Sequence, residues 1–168
     1  IYGFATPLSE EEKKLTADLC LQLQIPARAA DMYENILTRP GHKRMDPKKD
    51  KPIIQRLVNA YRQMGRTDKA LALLNRFDPT GCDHELLLVK GDLLYETKDF
   101  KAANQAYRAA AQSNCAKKGQ AWLMAGYAAW QQNDIEASRN AFEKAARFKR
   151  HRKDALAAMA QLERTRQM

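Results

Sequence analysis

Metal binding and thiol chemistry need imidazoles, thiolates and carboxylates at short, regular separations. The 168-residue chain carries three histidines, His42, His84 and His151, and three cysteines, Cys20, Cys82 and Cys115. The histidines are scattered, and although His84 comes two residues after Cys82, no further ligand completes a site. There is no glycine-rich phosphate loop, no nucleophile motif and no carboxylate pair set in an apolar pocket. These residues predict no enzyme, no metal, no cofactor and no small-molecule substrate. Cys20 lies in the apolar stretch Leu19–Leu23 and is expected to be a buried thiol. An odd number of cysteines excludes complete intramolecular pairing.

The charge is the next chemical signal. A net +9 would suggest a polyanion partner if it were spread along the chain. It is concentrated instead. Residues 39–51 hold six cations (Arg39, Lys43, Arg44, Lys48, Lys49, Lys51) against Asp46 and Asp50, and 144–153 hold six more (Lys144, Arg147, Lys149, Arg150, Arg152, Lys153) against none. The remainder nets −1. Neither patch interleaves the aromatics of a single-strand platform, and no helix reads as a recognition element, so nucleic acid is not the expected partner. A solvated surface, or contact with an acidic protein or headgroups, fits the patches better.

The elements that carry these residues are helical. Hydrophobic residues at 45% and charged residues at 29% describe a folded chain rather than a disordered one. The apolar run Ala121–Trp130 is halted by Gln131, Gln132, Asn133 and Asp134, well short of the ~20 residues of a membrane span. Aligning the chain with itself superimposes 91–111 on 126–146, a shift of 35 residues. Gly91, Asp99, Phe100, Ala103, Tyr107 and Ala110 then fall on Gly126, Asp134, Ile135, Ser138, Phe142 and Ala145. Val58, Tyr61, Gly65, Ala70 and Leu74 form a weaker copy, and Ala17, Pro26, Ala29, Tyr33 and Ile36 a fourth. The pattern predicts helices near 9–23 and 27–38, 50–64 and 67–77, 83–97 and 100–113, 117–132 and 135–148, and a last one near 151–166. Ser9 with Glu12 spells a capping box, Pro26 suits a first turn, and Asp99 and Asp134 can cap the helices that begin after them. In the last segment Leu156, Met159, Ala160 and Leu162 are expected on the inner side.

A period near 34, with small residues where two helices cross, resembles the tetratricopeptide repeat (TPR). Trp122, Gly126, Asp134, Phe142 and Ala145 stand at its bulky, small, turn, aromatic and small positions. The resemblance implies an all-α, α-solenoid fold of about four helical hairpins (9–38, 50–77, 83–113, 117–148) and a C-terminal capping helix, read as one domain over 1–168. It further implies a non-catalytic scaffold whose concave groove holds a partner polypeptide, lined by the first helix of each hairpin. Carried over, that lining is Lys14, Asp18 and Leu21; Gln55, Asn59 and Arg62; Leu88, Asp92 and Tyr95; and Leu123, Tyr127 and Trp130. Trp122 is expected in the core, while Tyr95 and Trp130 either anchor a partner or pack between hairpins. Val89, Gln120 and Met124 replace the polar clamp of chaperone-tail binders, so that subclass is not expected. Cys82 and Cys115 each precede a first helix and would either form a disulfide between adjacent hairpins or remain two thiols. The strings at 24–30, 91–100 and 122–148 are similar to bacterial TPR proteins beside Ton-type energy-transduction systems, which implies a periplasmic accessory. The competing expectation is a cytoplasmic adaptor. Ile1 in place of Met is read as the start of a processed or excised piece.

Overall fold

The computed structural model describes residues 7–39, 46, 49–79, 81, 83–112 and 116–166. They form helices α1 (Glu10–Gln22), α2 (Pro26–Leu37), α3 (Lys51–Gln63), α4 (Thr67–Phe77), α5 (His84–Glu96), α6 (Phe100–Gln112), α7 (Lys118–Gln131), α8 (Ile135–Ala146) and α9 (Arg152–Arg166). No strand occurs among the described residues. The chain divides into two compact units, Ile1–Pro79 and Thr80–Met168. Each is built from antiparallel hairpins, α1–α2 and α3–α4 in the first, α5–α6 and α7–α8 with α9 in the second.

Local chemistry starts and stops these helices. Ser9 Oγ accepts from the Glu12 amide at 3.3 Å while the Glu12 carboxylate accepts from the Ser9 amide at 2.8 Å, which completes the capping box. Pro26 occupies the first turn of α2, where its missing donor costs nothing. Asp83 accepts from the Glu85 and Leu86 amides at the start of α5, Asp99 from Ala102 and Asp134 from Ala137. The four within-hairpin turns share one backbone solution. Gln24, Gly65, Lys98 and Asn133 all adopt left-handed φ, from 58° to 67°. The next residue's amide then reaches back over the helix end: Ile25 to Cys20, Arg66 to Tyr61, Asp99 to Leu94 and Asp134 to Ala129, each at 2.8–3.0 Å. This is the Schellman closure, and it caps carbonyls that would otherwise be orphaned.

Packing inside a hairpin is a matter of matched sizes. Tyr33, Leu74, Tyr107 and Phe142 are all buried, each sixteen residues after Ala17, Val58, Gly91 and Gly126. A Cβ at Gly91 would stand 2.5 Å from Cε1 of Tyr107, and at Gly126 it would meet Cε1 of Phe142 in the same way. In these two hairpins the rings close onto glycine, whereas Tyr33 packs opposite Ala17 and Leu74 opposite Val58, so the fit is set hairpin by hairpin. Ser138, at a place where the repeat usually has alanine, donates to the Gly126 carbonyl at 2.9 Å. Asn104 donates to the Ala125 carbonyl at 2.8 Å, so both buried polar side chains are satisfied.

The end helix differs from expectation. Ala155, Ala158 and Leu162 are buried and Met159 packs beside them, but Leu156 is 52% exposed and Ala160 faces solvent. Three- and four-residue steps from 155 to 162 make a narrow inner stripe of mostly small side chains, which turns Leu156 and Ala160 outward.

Candidate functional site

The positions carried over from the repeat have distinct environments in the two units. In Ile1–Pro79, Asp18 on α1 accepts from the hydroxyl of buried Tyr33 on α2 and pairs with Arg56 Nε of α3 at 2.9 Å. Lys14 pairs with Glu10 at 2.8 Å within α1. Leu21 and Gln55 are half-buried, and Asn59 and Arg62 are exposed. Burial, then the Asp18 carboxylate, pushes the Tyr33 phenol well above its ordinary range; burial and Glu34 do the same to Tyr61, which donates to that carboxylate.

In Thr80–Met168, Asp92 on α5 accepts from the Tyr107 hydroxyl at 2.7 Å, a repeat of the Asp18–Tyr33 arrangement at the same fifteen-residue separation. Burial first, and Asp92 second, holds that phenol protonated far above its usual range. Tyr127 takes the place of the aspartate in the next hairpin, and its ring meets Phe142 edge-on at 5.1 Å. Trp130 meets the same ring at 6.4 Å, and Tyr95 packs edge-on against Phe100 at 5.1 Å. Burial raises the Tyr127 hydroxyl above its ordinary value, with smaller contributions from Asp154 and Tyr95.

Leu88 must be reassigned. It is 5% exposed inside the cluster formed by Tyr107, Ala121 and Ala125, because α5 is apolar on more than one face and presents Leu88 to its neighbours. Tyr95, Leu123, Tyr127 and Trp130 are half-buried: one side of each packs on the core and the other remains accessible. Trp122 contacts both core clusters, yet its ring also lies under the Lys144 ammonium at 4.3 Å. There it borders a cleft of about 350 Å3 with Asn104, Arg108, Glu136 and Asn140, which its consensus position alone did not reveal.

The basic segments also separate. Arg39 pairs with Glu10, Asp50 is buried and accepts from the Asp46 amide at 2.6 Å, Lys49 is exposed and Lys51 half-buried, whereas Lys43, Arg44 and Lys48 lie outside the described residues. In the second, Arg152 Nε donates to the Ala146 carbonyl at 3.1 Å, while Arg147, Lys149, Arg150 and Lys153 are exposed. A Cβ at Gly119 would lie 2.7 Å from His151 and 2.8 Å from Phe148, so the start of α7, with Lys118, packs directly on this basic turn. Cys20 is a buried free thiol. Cys82 and Cys115 fall outside the described residues, as does His42. Among the described residues no three His, Cys, Asp or Glu side chains group as metal ligands, and no helix is long and apolar enough to cross a membrane.

Residues 22–124 match the family model described as a tetratricopeptide repeat-like domain, and 119–151 match a tetratricopeptide repeat model. No curated protein matches the chain by sequence. Among solved structures, a crystal structure of MamA aligns with a TM-score of 0.74 at 17% identity, covering 89% of this chain and 84% of its own. BtubC (BKLC) from P. vanneervenii aligns at 0.72 and 15%, covering 92% and 71%. PilF of Pseudomonas aeruginosa aligns at 0.72 and 18%, covering 94% and 69%. These likenesses show an all-α helical-repeat fold.

Proposed function

Because the chain belongs to the tetratricopeptide-repeat family, we propose that it is a non-catalytic scaffold that binds a partner polypeptide on its first-helix faces. The observation that supports this most is the aromatic shelf of Thr80–Met168. Tyr95, Tyr127 and Trp130 are half-exposed, and edge contacts to Phe100 and Phe142 hold their rings in place. A rigid aromatic loses little entropy when a partner side chain settles on it, which is why such rings dominate binding energy. Asp92, one helical turn before Tyr95 on α5, adds a carboxylate to this helix, so a segment combining an apolar anchor with Lys or Arg complements it. The face carried by α1 and α3, with Lys14, Asp18, Gln55, Asn59 and Arg62, is polar and suits a second, hydrophilic stretch of partner.

Selection of a random peptide library on the purified chain tests this reading. Selected peptides should pair aromatic or aliphatic residues with basic ones, and Tyr95→Ala should weaken them by tenfold or more, about 1.4 kcal/mol. Peptides that bind Tyr95→Ala and the unaltered chain equally well would place the site elsewhere.

The strings shared with Ton-associated proteins support a periplasmic place beside an envelope transport complex. Recovery of the native protein in the cytoplasmic fraction of its organism would sink that assignment. The packing of the α7 start on the cationic α8–α9 turn favours a second reading, a cytoplasmic adaptor that contacts an acidic protein or nucleic acid there. Retention on a polyanion should fall steeply with salt. No retention at low salt would remove it.

A further inference from the structure

Helices α6, α7 and α8 border a cleft of about 350 Å3 lined by Asn104 and Arg108 from α6, Trp122 from α7, and Glu136, Asn140 and Lys144 from α8. That volume lies at the lower end of the range for ligand pockets, roughly 300–1,000 Å3. The repeat builds an equivalent cleft of about 360 Å3 from α2, α3 and α4. There Glu34 stands in the place of Arg108, Ala72 in that of Asn140 and Arg76 in that of Lys144. The α2 wall of that cleft is acidic and faces Lys69 and Arg76 on the α4 wall, Leu57 and Leu73 join the lining, and the Tyr61 hydroxyl occupies Glu34. In the α6–α8 cleft the wall opposite Lys144 has reversed its sign, so a cation stands on each side. The shape belongs to the repeat, and the charge belongs to Arg108.

We propose that this cleft takes the acidic side chain, Asp or Glu, of a partner peptide. Among the described residues neither Arg108 nor Lys144 is paired with a carboxylate. The Lys144 ammonium is held over the Trp122 ring at 4.3 Å, so an incoming carboxylate meets a cation already in place. Arg108 adds a planar fork that can bind a carboxylate through two hydrogen bonds. The rest of the lining suits a peptide rather than a free anion. Asn140 is exposed and offers both an amide donor and a carbonyl acceptor. Asn104, whose amide goes to the Ala125 carbonyl, keeps its own oxygen as an acceptor. Backbone C=O and N–H groups are the complements of these two side chains. Glu136 comes eight residues before Lys144 on α8, about 12 Å along the axis. It leaves space for one carboxylate beside Lys144 and repels an extended polyanion. The charged groups lie on the second helices α6 and α8, whereas the aromatic shelf belongs to α5 and α7, so this site goes beyond the shelf.

Beads carrying end-blocked pentapeptides with a central Glu, and uncharged residues elsewhere, test this against matched beads with a central Gln or Lys. Blocked termini confine the carboxylate to the side chain. The purified chain should be retained by the Glu set above the other two. A retained peptide, titrated into nitrogen-15-labelled chain, should shift the indole N–H signal of Trp122 more than that of Trp130. Arg108→Gln should weaken this peptide by about tenfold or more, and Arg108→Glu, which restores the sign found on α2, should abolish binding. Glu136→Gln should strengthen it several-fold. Arg108 and Glu136 are exposed, and unchanged helical circular dichroism checks that these variants fold. Equal retention on the three bead sets overturns the proposal. So does binding that Arg108→Gln leaves intact, or binding that Tyr95→Ala abolishes and Arg108→Gln does not, which would assign the peptide to the shelf. A single-stranded oligonucleotide that shifts the Trp122 indole where the Glu peptide does not would overturn it in favour of a polyanion.

Discussion

Replacing Gly126 by alanine sets two effects of opposite sign against each other. Helix propensity alone favours alanine over glycine in a helix interior by about 1 kcal/mol. Packing opposes it. The new methyl would sit 2.5 Å from Cδ1 and 3.0 Å from Cζ of Phe142, a ring that is fully buried and held between Tyr127 and Trp130. The ring has no open space to enter, so helices α7 and α8 must separate or the ring must leave its rotamer, at about 2–3 kcal/mol. The net is a loss of about 1–2 kcal/mol, which moves the urea midpoint down by roughly 0.5–1 M for a chain of this size. Urea titration followed by circular dichroism and by tryptophan emission measures it. Combining Gly126→Ala with Phe142→Leu should cost less than the two single changes added together, since α3 and α4 already pair a larger Val58 with a smaller Leu74. If Gly126→Ala is more stable than the unaltered chain, propensity has won and the size-matching argument fails.

Left-handed residues with a Cβ carry a strain that glycine does not, so Gln24→Gly and Lys98→Gly should each raise stability by about 0.5–1 kcal/mol, whereas the helix-interior change Ala109→Gly should lower it; equal signs in the same urea titration would refute the turn assignment. Tyr107 and Tyr33 titrate above their ordinary value when folded. Above pH ~10 the unfolded chain therefore releases phenolic protons that the folded chain keeps, and stability falls as pH rises from there. Tyr107→Phe should flatten that alkaline loss and cost about 1 kcal/mol at neutral pH, where Asp92 loses its donor; phenolate absorbance and thermal melts across the range check both parts. Trp130→Ala removes a half-buried ring from the Phe142 cluster and should destabilise the chain by about 2 kcal/mol as well as weaken partner binding, so a melt unchanged from the parent would mean the ring is not packed.

The features legible in the residue string are those set by short separations. Ser9 and Glu12 are three apart, and the partners across a hairpin are fifteen or sixteen apart. Such spacings survive from copy to copy because each hairpin closes on itself before it meets a neighbour. The Asp18–Tyr33 and Asp92–Tyr107 hydrogen bonds obey the same rule and could have been found from that separation, but Asn59–Leu74 and Tyr127–Phe142 interrupt the pattern and conceal it. The shared left-handed turn was concealed for a similar reason: only Gly65 among the four positions is a glycine, and Gln24, Lys98 and Asn133 accept the same backbone without announcing it.

What the residues could not reveal is which apolar side chains find cover. Periodicity marks a face as apolar but says nothing of what lies against it. Leu88 and Leu156 both fall at apolar positions of their helices, yet neighbouring helices enclose the first and leave the second in solvent. Trp130 and Tyr95, readable either as core or as anchors, are half-buried, because Phe142 and Phe100 take one edge of each ring and leave the rest exposed. The repeat and its caps are local and were determined by sequence alone. The aromatic shelf and the junction of Lys118 with the basic turn depend on long-range packing, where burial is decided by the neighbours that arrive.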